Sequence, residues 1–234
     1  MSERPDHFPS RDGHPKHRLY GRAAGKPLSK AQAGRVETLL PRLAIPEGAV
    51  APLGLFGGKA REVWLEIGFG GGEHLAGQAA KHPDVGFIGA EPFLEGVAKL
   101  LSEIEHEKLG NVLVRRGDAR DLVAQLDAQS IDRVFILFPD PWPKTRHRKR
   151  RLIQPQFVAE LSRVMKPGAR LRFATDWADY ASRALADILR DGRFDWTAER
   201  ADDWRKPPAD HVTTRYQEKR LGDCAPVFLD FSRR

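Results

Sequence analysis

Three acidic residues stand beside the ends of three predicted strands, and the first of these strands runs into a glycine-rich turn. Glu66 lies two residues before the first glycine of the turn, Glu91 ends the second strand and Asp118 ends the third. Ligands of open α/β sheets bind beyond the carboxyl ends of the strands, where these acids would meet. Carboxylates there can accept hydrogen bonds from an ammonium group, from ribose hydroxyls and from an adenine amine. A single acid at a strand end could simply face solvent, but three together predict a nucleoside site.

The glycine turn, in the sequence WLEIGFGGGEHL over residues 64–75, narrows the choice of ligand. Its glycines, including Gly68 and Gly70, let the backbone turn sharply and approach a ligand at the start of a helix. Glu73 stands where the G-x-G-x-x-G motif needs its third glycine, which disfavours a nicotinamide-dependent dehydrogenase. The sequence has no G-x-x-x-x-G-K-[ST] motif, so a nucleoside triphosphate site is disfavoured too. With the three acids, the turn predicts a site for S-adenosylmethionine.

A second candidate site follows the predicted fourth strand, in the sequence FPDPWPK over residues 138–144. Pro139 and Pro141 flank Asp140 and restrict its backbone, so the carboxylate has few conformations to lose on binding. Trp142 offers an aromatic face on which a nucleic-acid base could stack. The other interpretation is a proline-rich turn whose Trp142 packs into the core.

Positive charge is concentrated in two segments of a chain whose net charge is +7. Residues 1–35 contain eight Lys/Arg against three acids, and residues 144–151 contain six Lys/Arg and no acid, so the rest of the chain is mildly acidic. The second segment could be a solvated helix start or a localisation signal. Because it directly follows Asp140, it instead predicts a polyanionic partner such as RNA.

Apolar runs alternate with helical periodicity in the elements that must position these residues. Strands are predicted over residues 62–67, 85–90, 112–116, 133–138, 170–175, 194–198 and 227–231. Helices are predicted over residues 29–43, 73–81, 93–108, 119–126, 155–165 and 178–189. This alternation predicts a mostly parallel sheet with helices on both faces, and the lack of a crossover helix before the last strand predicts that this strand is antiparallel.

The composition bounds the class of protein. A length of 234 residues with 41% hydrophobic residues suits one well-buried domain and an appendage. We expect a disordered basic tail over residues 1–18, a basic arm with a helix and a linker over 19–59, and the main domain over 60–234. The chain has neither a run of ~20 apolar residues nor an apolar leader, so a membrane span and a secretory signal are not expected. Cys224 is the single cysteine and the histidines lack ligand spacing, so the sequence predicts no metal site and a cytoplasmic location.

Taken together, the motifs resemble those of the tRNA (guanine-N7-)-methyltransferases. The motifs that carry the resemblance, in family order, are EIGFGGG, GAEP (89–92), GDA (117–119), FPDPWPK with RHRKRR, FATDW (173–177) and TRYQEK (214–219). The stretch RLYGRAAGKPLSKAQ is similar to the family's basic lead-in, so the resemblance covers all but the first 15 or so residues. Thr145 and Arg215 depart from the family pattern, which often has lysine at both positions, and this leaves the RNA footprint open.

The resemblance implies a Rossmann-like class I methyltransferase fold and methyl transfer to N7 of a guanine in the variable loop of tRNA. The residues implied to bind the methyl donor are Glu66, Gly68, Gly70, Glu91, Asp118 and Asp140, with Asp140 also the catalytic residue. Contacts to the substrate are implied for Lys144, Asp176, Thr214, Arg215, Tyr216 and Gln217. Contacts to RNA are implied for Arg146, His147, Arg148, Lys149, Arg150 and Arg151.

Two other functions remain open from the sequence. The D-P-W after strand four is similar to the D-P-P-Y loops that methylate exocyclic amines of bases, although W-P-K replaces the second proline and the aromatic residue. An RNA-binding protein that kept the fold and lost the activity is the other alternative. The sequence is compatible with both a monomer and a homodimer.

Overall fold

Seven strands form one sheet in the part of the chain that the structure, a computed structural model, describes, residues 27–234. The strands are β1 (Glu62–Ile67), β2 (Val85–Ala90), β3 (Val112–Arg115), β4 (Ile131–Leu137), β5 (Met165–Thr175), β6 (Phe194–Trp196) and β7 (Val227–Arg233). The α-helices are α1 (Lys30–Thr38), α2 (Leu40–Leu43), α3 (Glu73–Lys81), α4 (Leu94–His106), α5 (Ala119–Gln125), α6 (Pro155–Val164), α7 (Ala178–Arg190), α8 (Asp202–Arg205) and α9 (Arg215–Lys219). The predicted tail over residues 1–18 and the part of the predicted arm before residue 27 lie outside the described residues.

The order of the strands across the sheet is β3-β2-β1-β4-β5-β7-β6. Strands β1 to β5 pair in parallel, whereas β7 runs antiparallel to both β5 and β6. The mostly parallel sheet and the antiparallel last strand are therefore confirmed. Because the strand order reverses between β1 and β4, their carboxyl ends form the topological switch point, where open α/β sheets bind ligands.

The sheet is covered on both faces because its central strands are apolar on both faces. All six residues of β2 are buried. Along β1, Val63, Leu65 and Ile67 join one buried cluster and Trp64 joins the other, as the alternation of side chains along a strand requires. The same alternation places Glu66 on the Trp64 face, which α3 and α4 cover. No helix within residues 27–234 is both long and apolar enough to cross a membrane.

The predicted helix over residues 29–43 is two helices, α1 and α2, which join at Leu39 just before Pro41. The Ser29 hydroxyl accepts the Gln32 N–H at 3.2 Å and the Gln32 side chain accepts the Ser29 N–H at 3.0 Å, a capping box that starts α1. The predicted apolar side chains pack against the cluster under α4; they are Val36, Leu39, Leu40 and Leu43. The division of the chain at residue 59 into an arm and a domain stays a prediction.

Several strand boundaries differ from the prediction by a few residues, and two of these differences have clear backbone reasons. Strand β4 ends at Leu137 because Phe138 has a φ of 51° and leaves the ladder. Strand β5 begins at Met165, which pairs with Ile131 ahead of a register shift. That irregularity lets the strand include Pro167 and Gly168, whose φ is 79°; both residues lie between the predicted helix 155–165 and the predicted strand 170–175.

Candidate active site

The glycine turn between β1 and α3 is a tight loop in which three glycines have positive φ. The φ angles are 70° at Gly68, 55° at Gly70 and 84° at Gly72, in the left-handed region that other residues rarely adopt. The Gly68 N–H donates to the Ala90 carbonyl at 2.8 Å, which ties the turn to the end of β2. A Cβ atom at Gly96 in α4 would collide with the Gly70 carbonyl oxygen, so α4 lies directly against the turn. Sequence reasoning missed Gly96, because a glycine inside a helical pattern carries no sign of what it packs against.

Glu91 holds the turn from the end of β2. One of its carboxylate oxygens accepts the Gly70 N–H at 2.9 Å and the other accepts the Phe93 N–H at 2.9 Å. Burial raises the pKa of Glu91 to about 7, although the two N–H donors oppose the rise and the nearby Asp140 carboxylate adds to it. A ligand that donates further hydrogen bonds to this carboxylate would favour its ionised form.

Glu66 is held by a histidine that the sequence did not single out. Its carboxylate oxygen lies 2.7 Å from Nδ1 of His74, which is fully buried, and Glu66 itself is only 3% exposed. The Gln78 amide nitrogen lies 3.3 Å from Nε2 of His74 and donates to the Asp210 carbonyl at 2.6 Å. The predicted donor-site acid Glu66 is thus connected, through α3, to the segment between β6 and β7.

Asp118 is already engaged by its own helix. It caps α5 by accepting the Arg120 N–H at 2.9 Å, and the Arg120 guanidinium Nε donates to it at 3.0 Å. The Gly117 N–H donates to the Glu91 carbonyl at 3.2 Å, which keeps the ends of β2 and β3 together. The three predicted acids therefore lie along one edge of the sheet. An adenine amine at Asp118 would share the carboxylate with Arg120.

The loop after β4 brings Asp140 to the same edge. The Phe138 N–H still donates to the Ala174 carbonyl at 2.8 Å, but Phe138 and Trp142 both have positive φ, 51° and 43°, on either side of the Pro-Asp-Pro sequence. Asp140 is exposed, and no residue within 27–234 donates a hydrogen bond to its carboxylate. The protein packed around its inner side raises the pKa of Asp140, and its charge in turn raises those of Glu91 and Tyr216.

Trp142 is half-buried at the surface rather than in the core. The Arg150 guanidinium lies over its ring, 5.0 Å from the centroid, and the His147 ring meets it edge-on at 5.9 Å. Its predicted stacking on a base stays a prediction, and a base on the face that Arg150 covers would have to displace that side chain.

A third loop, after β5, places Asp176 close to the first residues of α9. The Asp176 carboxylate accepts the Gly222 N–H at 2.9 Å and lies 3.5 Å from the Tyr216 hydroxyl. The Tyr216 ring packs on Phe138, with centroids 5.6 Å apart. A cavity of about 770 Å³ opens beside Asp176 and Gln217 and is also lined by Arg205 and Arg220. Its volume is in the range of pockets for small ligands, about 300–1,000 Å³, so its size suits a single base.

The predicted substrate residues Thr214 and Gln217 help to build α9. The Thr214 hydroxyl caps the helix by accepting the Gln217 N–H at 3.3 Å, and the Gln217 amide oxygen lies 2.7 Å from Nε2 of His211. Arg215 forms an ion pair of 3.2 Å with Glu73 in the first turn of α3. The start of α9 therefore lies beside the glycine turn.

Asp210 anchors this segment to the sheet, and sequence reasoning missed it. Its carboxylate pairs with Arg172 at 2.7 Å and with Arg133 at 2.6 Å. Burial alone would raise the pKa of Asp210, but the two arginines outweigh it and lower that pKa. Arg172 also pairs with Asp230 at 2.7 Å. Neither arginine stands out in the sequence, because each follows the in–out alternation of an otherwise apolar strand.

The basic run forms a 3-10 helix, Thr145–Arg150, and its side chains divide into two kinds. The exposed cations that face solvent are Lys144, Arg146, Arg148 and Lys149. Arg151 points inward and is 3% exposed. Partial desolvation and the neighbouring Arg150, Arg146 and Lys144 charges lower the pKa of His147.

Comparison with known proteins identifies relatives over nearly the whole chain. The family model described as "Putative methyltransferase" matches residues 60–227. The tRNA (guanine-N(7)-)-methyltransferase of Caulobacter vibrioides (strain NA1000 / CB15N) is 57% identical over 216 residues, which is 92% of this chain and 95% of the relative. The tRNA (guanine-N(7)-)-methyltransferase of Ruegeria pomeroyi (strain ATCC 700808 / DSM 15171 / DSS-3) is 48% identical over 231 residues, 94% of this chain and 95% of the relative.

A solved structure supports the fold independently. The 16S rRNA (adenine(1408)-N(1))-methyltransferase from Catenulisporales acidiphilia matches with a TM-score of 0.54 at 16% identity, over 82% of this chain and 97% of that chain. The predicted Rossmann-like class I methyltransferase fold is thus confirmed. The extent and identity of the sequence matches, together with this fold, show that the chain belongs to the tRNA (guanine-N(7)-)-methyltransferase family.

Proposed function

We propose that this protein transfers a methyl group from S-adenosylmethionine to N7 of a guanine in tRNA, in the variable loop. The observation that carries the proposal is the Asp140 carboxylate, which is exposed, accepts no hydrogen bond from residues 27–234 and follows β4 close enough to Glu91 to raise its pKa. Membership of the family supports the reaction, because its relatives are named for it. The cytoplasm remains the proposed location.

The residues at the edge of β1, β2 and β3 fit S-adenosylmethionine. The Gly70 turn leaves bare backbone for close approach, and each Glu91 oxygen keeps a lone pair to accept a ribose hydroxyl. Glu66, fixed by His74, would accept the amino end, and Asp118 would accept the adenine amine. When bound, S-adenosylmethionine supplies a methyl group on a positively charged sulfur.

Asp140 acts on the base by charge and position. Guanine N7 carries an in-plane lone pair and no proton, so the protein does not need a general base there. An ionised Asp140 accepts hydrogen bonds from guanine N1–H and from the exocyclic amine, which orients the ring. The same carboxylate stabilises the positive charge that the guanine gains on methylation.

Asp176 has a different part in this proposal because its carboxylate is already occupied by Gly222 and Tyr216. It holds Tyr216 against Phe138, so the loop after β4 and the start of α9 form adjoining walls of the proposed base site. Four further residues of these walls are proposed to contact the substrate: Lys144, Thr214, Arg215 and Gln217.

Exposed cations of the basic run would bind the RNA backbone. Phosphate contacts give affinity and register and carry no base identity. Because the edges of a paired base are hidden in a duplex, a looped or extruded guanine is the expected substrate.

The proposal is tested by incubating the protein with isotopically labelled S-adenosylmethionine and unmodified tRNA transcripts. Nuclease digestion and mass spectrometry then locate the label, which we expect on N7 of a variable-loop guanosine. A methyl group on an exocyclic amine, or no transfer at all, would contradict the proposal.

The role of Asp140 is tested by Asp140→Asn, which keeps the shape and removes the charge. We expect kcat at saturating tRNA to fall by about 10²–10³-fold, the usual effect of losing one group that stabilises transition-state charge. The matched control is Asp84→Asn. Asp84 is a surface acid that pairs with Arg61, and it lies just before β2, at the opposite end of that strand from Glu91. Near-normal kcat in Asp140→Asn would rule out the electrostatic role.

A further inference from the structure

Arg151 does not share the environment of the basic run to which its sequence assigns it. It follows the 3-10 helix Thr145–Arg150 and is 3% exposed, whereas Lys149, two positions earlier, is exposed to solvent. A cation that binds phosphate must reach the surface, so burial removes Arg151 from the RNA-facing set in this conformation.

The guanidinium of Arg151 is committed to the protein on three sides. Its Nε donates to the Pro141 carbonyl at 2.7 Å, and its Nη2 donates to the Asp179 carboxylate at 2.6 Å. Its central carbon lies 4.6 Å from the centroid of the Tyr180 ring, which is fully buried. The planar fork of an arginine makes all three contacts at once, and a lysine could not.

The loop that carries Asp140 needs a donor from outside itself. Residues 139, 141 and 143 are prolines and have no N–H to donate, so the loop has few backbone donors with which to fix its own shape. Phe138 and Trp142 also hold φ angles that bulky residues disfavour. Arg151 supplies the missing donor at Pro141, the residue next to Asp140.

Asp179 connects this contact to the loop after β5, which carries Asp176. It lies in the first turn of α7, three residues after Asp176, and it also forms an ion pair with Arg148 at 2.9 Å. The Asp179–Arg151–Pro141 chain therefore holds the loop after β4 and the loop after β5 in one relative position.

We propose that Arg151 is a positioning residue that fixes the Asp140 loop through Pro141, with Asp179 as its anchor, and that it is not a phosphate ligand. This inference rests on the proposed function, because it assigns Arg151 to the reaction through Asp140.

The test compares Arg151→Lys with Lys149→Ala, which removes an exposed cation of the same run. Arg151→Lys keeps the charge but loses the fork, so we expect kcat at saturating tRNA to fall ~10–100-fold, the cost of a small misplacement of a catalytic group. The tRNA Kd and its salt dependence stay unchanged. Lys149→Ala instead weakens tRNA binding and lowers the slope of log Kd against log salt by about one. Wild-type kcat in Arg151→Lys would overturn the inference.

Asp179→Asn separates the two roles of Arg151 by its effect on kcat. Loss of the anchor is expected to lower kcat while tRNA binding stays the same or tightens, because the neighbouring arginines lose a competing carboxylate. If Arg151 instead bound phosphate, Asp179→Asn would tighten binding and leave kcat unchanged, and that result would overturn the inference.

The proposed function and this inference can fail separately. A wild-type protein that methylates no tRNA guanine would overturn the proposed function. Hydrogen exchange at the Phe138 amide, which donates to the Ala174 carbonyl at 2.8 Å and so joins the loop after β4 to β5, would then decide the inference without any substrate. Exchange at this amide should accelerate in Arg151→Lys and remain at the wild-type rate in Lys149→Ala. Equal rates in wild type and Arg151→Lys would overturn the inference.

Discussion

The ionisation of Glu91 should make binding of the methyl donor depend on pH near neutrality. Burial raises the pKa of this carboxyl from 4.5 to about 7 in the ligand-free protein. Ribose hydroxyls would donate to the ionised form, so binding releases the proton that Glu91 carries below neutral pH. Little further desolvation opposes this, because the side chain is already only 7% exposed.

The size of the effect follows from the fraction of Glu91 that is ionised. With a pKa of about 7 this fraction rises from roughly a tenth at pH 6 to roughly nine tenths at pH 8, so affinity should rise ~10-fold between them. Adenosine is the ligand of choice for isothermal titration, since it carries the ribose hydroxyls and has no amino or carboxyl group that titrates in this range. In Glu91→Gln, which cannot ionise, affinity is weaker and independent of pH.

The same titration acts on stability with the opposite sense. Because the folded-state pKa is raised, the stability that protonated Glu91 contributes is complete below about pH 4.5 and is lost as pH rises through about 7. The unfolding free energy of wild type relative to Glu91→Gln should fall by as much as ~3 kcal/mol over that interval, measured in urea. An adenosine affinity that is flat, or that falls, from pH 6 to pH 8 in the wild type would refute this account of Glu91.

Two further predictions concern packing and charge. Gly96→Ala would press a methyl group onto the Gly70 carbonyl. We therefore expect titration calorimetry to show at least a ~10-fold loss of S-adenosylmethionine affinity and an unchanged Kd for tRNA. Unchanged S-adenosylmethionine affinity would contradict the close approach of α4 to the glycine turn. Asp210→Ala leaves Arg172 without one of its two carboxylates, and urea denaturation should show a loss of about 2 kcal/mol in the free energy of unfolding. This is less than the ~3–5 kcal/mol lost when a fully buried ion pair is broken, because Asp210 is partly exposed. Its control, Asp202→Ala, removes an exposed pair and should cost under ~1 kcal/mol; equal losses would contradict the anchor.

The sequence was sufficient where structure follows from local pattern. Buried parallel strands read as continuous apolar runs, so β1 and β2 were predicted to the residue, and the acids that follow such runs fall at one edge for that reason alone. The helical pattern that begins at residue 29 was predicted in the same local way, and α1 has Ser29 as its N-cap. Phe138 was assigned to a strand because hydrophobicity carries no information about φ.

The rest depended on contacts between residues far apart in the chain. His74 lies only eight positions from Glu66, yet its burial depends on α3 packing over β1. Arg151 reads as one more cation in a basic run, and its environment is set by Asp179, 28 positions away. Charge patterns predict partners for exposed side chains and say nothing about which side chains the fold encloses.

Helix α3 connects the proposed methyl-donor site to the proposed base site. It begins at the glycine turn, its Glu73 pairs with Arg215 of α9, and its Gln78 donates to the Asp210 carbonyl. Asp210 in turn is fixed by arginines of β4 and β5. These contacts use protein groups alone, so they hold the start of α9 beside the turn before RNA binds. If the proposed base site is the site of methylation, it is largely pre-formed, and tRNA binding needs little interaction energy to order this segment.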